Sequence, residues 1–523
     1  MTRSTLVSLL SALLAGCMVG PDYRAPVSTV PRAFGEAPPE LAAQPPVDLS
    51  GWWRAFGDPE LDRLIAVALD DSPDIGIATA RIAEARAQVR AARAELLPEV
   101  NATANTTYEK LSKNSGIASL SSVLGGGAAG GAAGGLTGGA GAGSGSGGSG
   151  GGITTPGGSI TTYAVGFDAR WELDLFGGAR RQVEGARARA DAAVWNARDS
   201  ELSLIADVAD DYLQLRTLQV RERLARAEVD RQTRNLQIME DTAKAGLVPQ
   251  GDFIRQRAQL ASAQAAVGPI VAEGKAMMHA LGVLLGRTPD ALIEELAVPR
   301  ADLALPPLPP PGLPSELLRR RPDVRAAERD LAAATADIGV AVADLFPRLS
   351  LTAMPELIST ALGTLFTHDS VQLTASAAAT FPILDFGRRS AQVQVRKAEA
   401  DQSYYRYRQT ALGALRDVED ALIRIRTEQQ RNQALRAGVA DAARAVQAVE
   451  ARYRTGLIDF GEVLNQRQAL LQNQDQLAQS DGMLRRDLLS LYKALGGGWE
   501  TLPLPFAEPG ARAIDYTRSK ERR

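Results

Sequence analysis

The chain has 523 residues, 45% of them apolar and 23% charged, which is too long for one simple domain and ample for a packed core. The net charge is −3 with both signs mixed along the chain, so no basic excess points to nucleic acid. Two histidines, His279 and His368, and one cysteine, Cys17, are too few for a His/Cys zinc site. Cys17 sits at the edge of a leader, which disfavours a Cys–His nucleophile, so neither a metal nor a catalytic centre is expected.

Residues 1–16 read as a signal peptide. Arg3 supplies the positive region and Leu6 to Leu14 a short apolar run that is too short to span a bilayer as a helix. Leu14-Ala15-Gly16-Cys17 resembles the processing site of bacterial lipoprotein precursors. That resemblance implies cleavage before Cys17 and a covalent lipid there, N-acyl on the new amino group and S-diacylglycerol on the thiol, with no other cofactor. Met18 in place of Asp implies sorting to the outer membrane. Residues 17–72 follow as an acylated strap and an equatorial segment, with Pro21 to Pro46 extended.

Two tandem repeats fill most of the remainder. Pro73-Asp74 recurs as Pro322-Asp323 and Leu97-Pro98 as Phe346-Pro347, both 249 residues on. Phe176-Gly177 recurs as Phe386-Gly387 and Gly246-Leu247 as Gly456-Leu457, both 210 residues on. The drop of 39 comes from a glycine-rich insert, residues 111–159, in the first half only; 17 of the 28 residues from Gly125 to Gly152 are glycine, and the segment reads as flexible. Its chance matches to a dinucleotide fingerprint (Gly143 to Gly148) and a nucleophile elbow (Gly147 to Gly151) lack the strand and helix that either motif needs.

The first repeat, residues 73–285, opens with a helix from Asp74 to Leu97. Strict alternation then predicts strands. Val100, Ala102, Ala104 and Tyr108 oppose Asn101, Thr103, Asn105 and Thr107; Tyr163, Val165, Phe167, Ala169, Trp171, Leu173 and Leu175 oppose Asp168, Arg170, Glu172 and Asp174. A proline-free helix runs from Gly178 to Ala245, 68 residues or roughly 100 Å if unbroken. Its stripe is Val183, Ala186, Ala190, Ala193 and Ala197, continued by Leu204, Val208, Tyr212, Leu215 and Leu218. A turn at Gly246-Leu247 leads to a return helix, Gln250 to Leu285, pairing as an antiparallel coiled coil.

Residues 286–321 form a linker, proline-rich from Pro306 to Pro314. The second repeat, residues 322–495, repeats the plan: a helix from Asp323 to Phe346, strands around Leu349 to Ala353 and Val371 to Ile383, a helix from Arg388 to Thr455, a turn at Gly456-Leu457 and a return helix from Gly461 to Leu495. Residues 496–523 close the chain as an equatorial segment and a disordered tail.

Strands with one apolar and one polar face, of about 9–11 residues, suit a transmembrane barrel. Four cannot close one, because the smallest single-chain barrels have about 8. Open edges in lipid would leave backbone groups unpaired, so other copies must supply the missing strands. The fold class is therefore mixed: an antiparallel transmembrane β-barrel with four strands per chain, and a long α-helical coiled-coil barrel. A structural or adhesive surface coiled-coil lipoprotein is the alternative, and it predicts no pore.

The chain resembles the TolC/OprM-like outer-membrane efflux family in its lipoprotein branch. The resemblance rests on Cys17 to Ala25 (CMVGPDYRA), Gly51 to Leu64 (GWWRAFGDPELDRL), Trp171 to Gly177 (WELDLFG), Leu313 to Asp323 (LPSELLRRRPD), Arg452 to Leu457 (RYRTGL) and Leu491 to Trp499 (LYKALGGGW). It implies a homotrimer with twelve strands and twelve shaft helices, anchored in outer-membrane lipid and reaching into the periplasm. It further implies a periplasmic adaptor and an inner-membrane transporter as partners, and a passive duct rather than an enzyme. By position, Asp252, Tyr453, Glu462 and Asn465 match the family's periplasmic gate: Tyr453 would bond to Asp252 and Glu462 would form a carboxylate ring. Asn465 departs from the aspartate often found there. Gly246, Leu247, Gly456 and Leu457 are the expected adaptor-docking turns.

Overall fold

A computed structural model describes residues 18–26, 30–42, 48–110, 112, 159–244, 250–299, 303–500 and 502. The leader, Cys17, nearly all of the glycine-rich insert, the Gly246-Leu247 turn and the C-terminal tail lie outside the described residues. Two compact units are distinguished. One comprises residues 1–20, 91–182 and 339–392; the other comprises residues 21–90, 183–338 and 393–523.

The first unit is built on a four-stranded antiparallel sheet, β1 (Glu99–Lys110), β2 (Ser159–Leu173), β3 (Arg348–Ser359) and β4 (Val371–Thr380), in the order β1-β2-β3-β4. The two hairpins are register-equivalent. Ala102 faces Phe167 and Val100 faces Ala169; shifted by the two repeat offsets, these become Leu351 facing Ala377 and Leu349 facing Ala379, and both of those pairs occur. β3 is longer than its alternation suggests. It continues through Met354-Pro355-Glu356 to Ser359, with Pro355 opposite Leu373.

The second unit is helical. In chain order its helices of seven or more residues are α1 (Pro59–Asp71), α2 (Pro73–Ala94), α3 (Gly178–Lys244), α4 (Gln250–Leu284), α5 (Pro314–Arg320), α6 (Pro322–Ala343), α7 (Arg388–Arg454) and α8 (Phe460–Ala494), of which α2, α3, α6 and α7 each have one end in the first unit. The long helices α3 and α7 have 67 residues each; α7 ends one residue before its sequence limit, where the turn begins at Thr455. On α7 the buried residues Val393, Ala400, Tyr407, Ala414 and Ala421 recur every seventh position, and Ala411, Val418 and Ile425 follow the last three of them by four residues. That is a coiled-coil seam, and its small residues let neighbouring helices approach closely. The expected α3 stripe is buried at Val183, Ala186, Ala197, Leu204, Val208, Tyr212, Leu215 and Leu218, while Ala190 and Ala193 are half-buried. α4 carries Pro269 on its exposed side, where one missing helical N–H is tolerated.

The core of this unit gathers the segments outside the repeat. Trp52, Trp53, Phe56, Leu61, Leu64 and Ile65 pack with Ile205, Tyr212, Leu281, Leu285, Leu488 and Leu491. Trp52 stacks on Tyr492 at 5.4 Å. A Cβ at Gly498 (φ 118°) would lie 2.9 Å from the Trp52 indole nitrogen, and one at Gly497 would lie 2.2 Å from the Leu49 Cβ. The triple glycine before Trp499 is thus a close-approach site.

Asp58 makes the GDPEL segment intelligible. It caps α1 by accepting from the Glu60 N–H at 2.9 Å and also accepts from the Tyr212 hydroxyl. Pro59 fills the first turn, where a missing N–H costs nothing. Burial, together with the Asp58 bond, pushes the Tyr212 hydroxyl pKa well up.

Candidate functional site

The sheet sorts its residues by face. Val100, Ala102, Ala104 and Tyr108 of β1 register with Ala169, Phe167, Val165 and Thr161 of β2. Trp171, Ala169 and Val165 register with Leu351, Ala353 and Leu357 of β3, which in turn face Ala377, Ala375 and Val371 of β4. One face is therefore apolar across all four strands. The other carries Glu99, Asn101, Thr103 and Asn105, then Asp168, Arg170 and Glu172, then Arg348, Ser350 and Thr352, then Gln372, Thr374 and Ser376. Both faces of β1 and β4 are exposed almost throughout, and exposed apolar residues include Val100, Tyr108, Phe167, Val371 and Leu373. No helix among the described residues is long and apolar enough to cross a membrane.

The strand ends are held by their flanking turns. Asp174 accepts from the backbone N–H groups of Ala179 (3.2 Å) and Arg180 (2.9 Å) and from Arg180 Nε (3.1 Å), which caps α3. Asp385 does the same for α7, accepting from the Gly387 and Arg389 N–H groups at 3.0 and 3.2 Å. Gly177 (φ 84°) and Gly387 (φ 85°) take the left-handed conformation at matching places, which is why Phe-Gly recurs.

Just after Cys17 the chain is clamped within the first unit. The Val19 N–H donates to the Phe176 carbonyl at 3.1 Å, and Arg181, a fully buried side chain, donates through Nε to the Val19 carbonyl at 3.2 Å. A Cβ at Gly20 would lie 2.5 Å from Gly339 Cα. Arg181 was not singled out from sequence, because its partners lie some 160 residues away.

In the helical unit the expected gate residues fall on the ends of α4, α7 and α8. Asp252, in the first turn of α4, pairs with Arg255 at 3.3 Å. Tyr453, in the last turn of α7, lies 5.3 Å from the Phe460 ring. Among the described residues of one chain, no hydrogen bond joins Tyr453 to Asp252. Glu462 and Asn465 are exposed on the first turns of α8. The Glu462 N–H is capped by Asp459 at 3.2 Å, and its carboxylate accepts from Gln466 at 3.2 Å. Arg255 reaches the same neighbourhood, since a Cβ at Gly461 would lie 3.5 Å from its guanidinium. Arg255 and Phe460 were missed from sequence. Their only signal is adjacency to residues already named.

The α7–α8 turn closes in a Schellman arrangement. Gly456 (φ 71°) donates to the Tyr453 carbonyl at 2.9 Å, and Leu457 donates to the Arg452 carbonyl at 3.0 Å. The Leu457 side chain is 71% exposed. Gly246 and Leu247 lie outside the described residues. Behind the turn, Arg467 bridges α8 to Glu450 of α7 at 2.5 Å. On α3 and α4, buried Gln256 donates to Gln232 Oε1 at 2.5 Å, and Glu228 pairs with Arg231. Burial and the nearby Arg467 charge pull Arg231 down to about 10.

The outer membrane efflux protein family model matches residues 64–268 and 313–497. The pyoverdine export outer membrane protein OpmQ of Pseudomonas aeruginosa is 31% identical over 454 residues, covering 87% of this chain and 88% of its own length. Outer membrane protein OprJ of the same organism is 28% identical over 498 residues, covering 94% and 95%. The solved outer-membrane channel OprN superposes with a TM-score of 0.78 at 33% identity, covering 92% of this chain and all of that one. The chain belongs to the outer membrane efflux protein family, whose members are outer-membrane channels of efflux systems rather than enzymes.

Proposed function

We propose that three copies of this chain close a twelve-stranded barrel in the outer membrane over a twelve-helix periplasmic shaft. The assembly serves as the passive exit duct of a tripartite pump. A periplasmic adaptor joins it to an energised inner-membrane transporter, which supplies the driving force. The observation that carries this reading is the sheet whose apolar face runs in register through all four strands while, among the described residues, both edge strands lack an outer partner. In lipid such edges must be paired by further copies.

Cys17 carries the lipid, and the Arg181 clamp on Val19 and Gly20 holds the chain close behind it. Asp252, Tyr453, Glu462 and Asn465 form the periplasmic gate once the copies assemble. Glu462 contributes one carboxylate per copy to a cation-favouring ring, and opening splays the coiled coils. The Gly456-Leu457 turn and its Gly246-Leu247 counterpart receive the adaptor. Planar-bilayer recording of purified mature protein tests the duct. Discrete cation-preferring conductance steps are expected. A silent bilayer with protein inserted would favour the surface coiled-coil alternative.

A further inference from the structure

Helix α8 is held on two sides along one stretch of its length. Toward α3, Lys493 reaches Asp207 at 3.5 Å, Arg486 grips Asp210 with bonds of 2.6 and 2.8 Å, and Asp475 accepts from Arg221 at 2.7 and 3.2 Å. Between those pairs Gly482 lies so close to α3 that a Cβ there would collide with the Thr217 side chain. Toward α7, buried Ser480 donates to Glu428 at 2.5 Å and accepts from Asn432 at 3.1 Å. Its neighbour Asp481 accepts from Asn432 at 2.8 Å and from Arg436 at 2.6 Å. Beyond Asp475, toward the Gly456-Leu457 turn, the pairing changes partners. Arg467 of α8 bonds to Glu450 of α7, so these two helices stay tied to each other. Arg231 of α3 pairs with Glu228 of its own helix, and buried Gln256 of α4 bonds to Gln232 of α3. Each hairpin is thus satisfied within itself at this level. The two face each other here with like charge, since burial and then the Arg467 guanidinium lower the Arg231 pKa.

We propose that Arg221 and Asp475 are positioning residues of the gate: their pair is the pivot about which the α7–α8 hairpin swings as one body away from α3 and α4 when the duct opens. Behind the pivot α8 is fixed to both neighbours. Ahead of it lies an arm that runs to the start of α8 at Phe460, about 22 Å at the rise of a helix. At the end of the arm Arg255 of α4 lies beside Gly461, so the hairpin is held at the pivot and at the gate. Loss of the Arg221–Asp475 pair moves the pivot back to the stretch from Gly482 to Arg486 and lengthens the arm to about 33–39 Å. A longer arm bends further under the same load at its tip, so the gate opens more readily. Asp210 and Arg486 sit behind the pivot, and their pair does not set the length of the arm.

The proposal rests on the duct and gate reading above, and its test separates the two. In single-channel recording of the full mature protein, Asp475→Asn should raise open probability roughly twofold to fivefold, the span for a part-exposed ion pair, while Asp210→Asn should change it by less than about 1.5-fold. Both replacements keep the shape of the side chain, so the comparison does not depend on a risky variant folding. Arg221→Asp with Asp475→Arg rebuilds the pair with its signs exchanged and should return open probability to the wild-type level. Equal effects of Asp475→Asn and Asp210→Asn, no effect of Asp475→Asn, or no rescue by the exchange in protein that is trimeric by native mass would overturn the pivot and leave the duct reading intact. Wild-type protein that inserts without conducting overturns the duct, and the pivot with it.

Discussion

At Arg321 one guanidinium ties three segments of the helical unit together. It grips Asp323 with two bonds of 3.0 and 2.8 Å, reaches Asp417 of α7 at 3.2 Å, and donates to the Ala494 carbonyl at the end of α8, also at 3.2 Å. Gly496 must be glycine beside it, since a Cβ there would lie 2.6 Å from Arg321 Cγ. Hydrogen bonds to charged groups contribute about 1.5–3 kcal/mol, so Arg321→Ala should cost at least about that much and lower the melting temperature of detergent-solubilised protein. The RRRPD segment was visible in the sequence as a family mark. Its purpose was not, because Asp417 lies 96 residues away and no local pattern pairs them. Asp211 and Asp487 carry a different prediction. Burial, with Asp210 and Asp207 near the first and Glu428 near the second, raises both to about 6. The folded chain therefore holds these protons more tightly than the unfolded chain. Their favourable contribution is complete below the unfolded value, about 3.9, and is lost as pH rises through about 6. Asp211→Asn with Asp487→Asn should raise the melting temperature at pH 7.5 and lose that gain toward pH 4. A gain that does not depend on pH would count against the assignment.

Among the elements, the long helices were the most legible. Sixty-odd residues without proline and an apolar stripe at helical spacing leave little else to form, and the end of α7 moved by a single residue. The strands were less so. The alternation read at Leu349 to Ala353 falls short of β3, which runs on through Pro355 to Ser359; β4 stops short of Ile383 because, among the described residues of one chain, Phe381 has no partner strand. The turn at Gly456-Leu457 was readable from glycine alone, through its left-handed φ of 71°. Leu457 carries no core packing, so Leu457→Asp should change stability by no more than about 0.5 kcal/mol. If the turn is the adaptor's seat, drug efflux in whole cells should fall to the level of a channel deletion while the trimer persists by native mass; unimpaired efflux would remove the docking assignment. For the gate, Asp252→Ala with Tyr453→Phe should raise single-channel open probability. If Tyr453 of one copy bonds to Asp252 of the next, a bond worth about 0.5–1.5 kcal/mol predicts roughly a twofold to tenfold change, and unchanged conductance and open probability would remove these residues from the gate.

At the scale of the whole molecule, the internal repeat predicted more than any motif. Two offsets read from dipeptides reproduce the hairpin registers residue for residue, so duplication was legible down to strand pairing. Self-comparison could not reveal how the non-repeated ends are used. Residues near Trp52 and Trp499 pack with both halves of the helical unit, and nothing periodic marks them. A half that cannot bury its own edges needs its twin, and among the described residues the twinned chain still leaves two strand edges open, which points to assembly. The direct measurement is the native mass of the mature protein after extraction from membranes. Detergent-dependent particles of three chains are predicted. A monomer that stays in solution with neither detergent nor lipid would contradict the account.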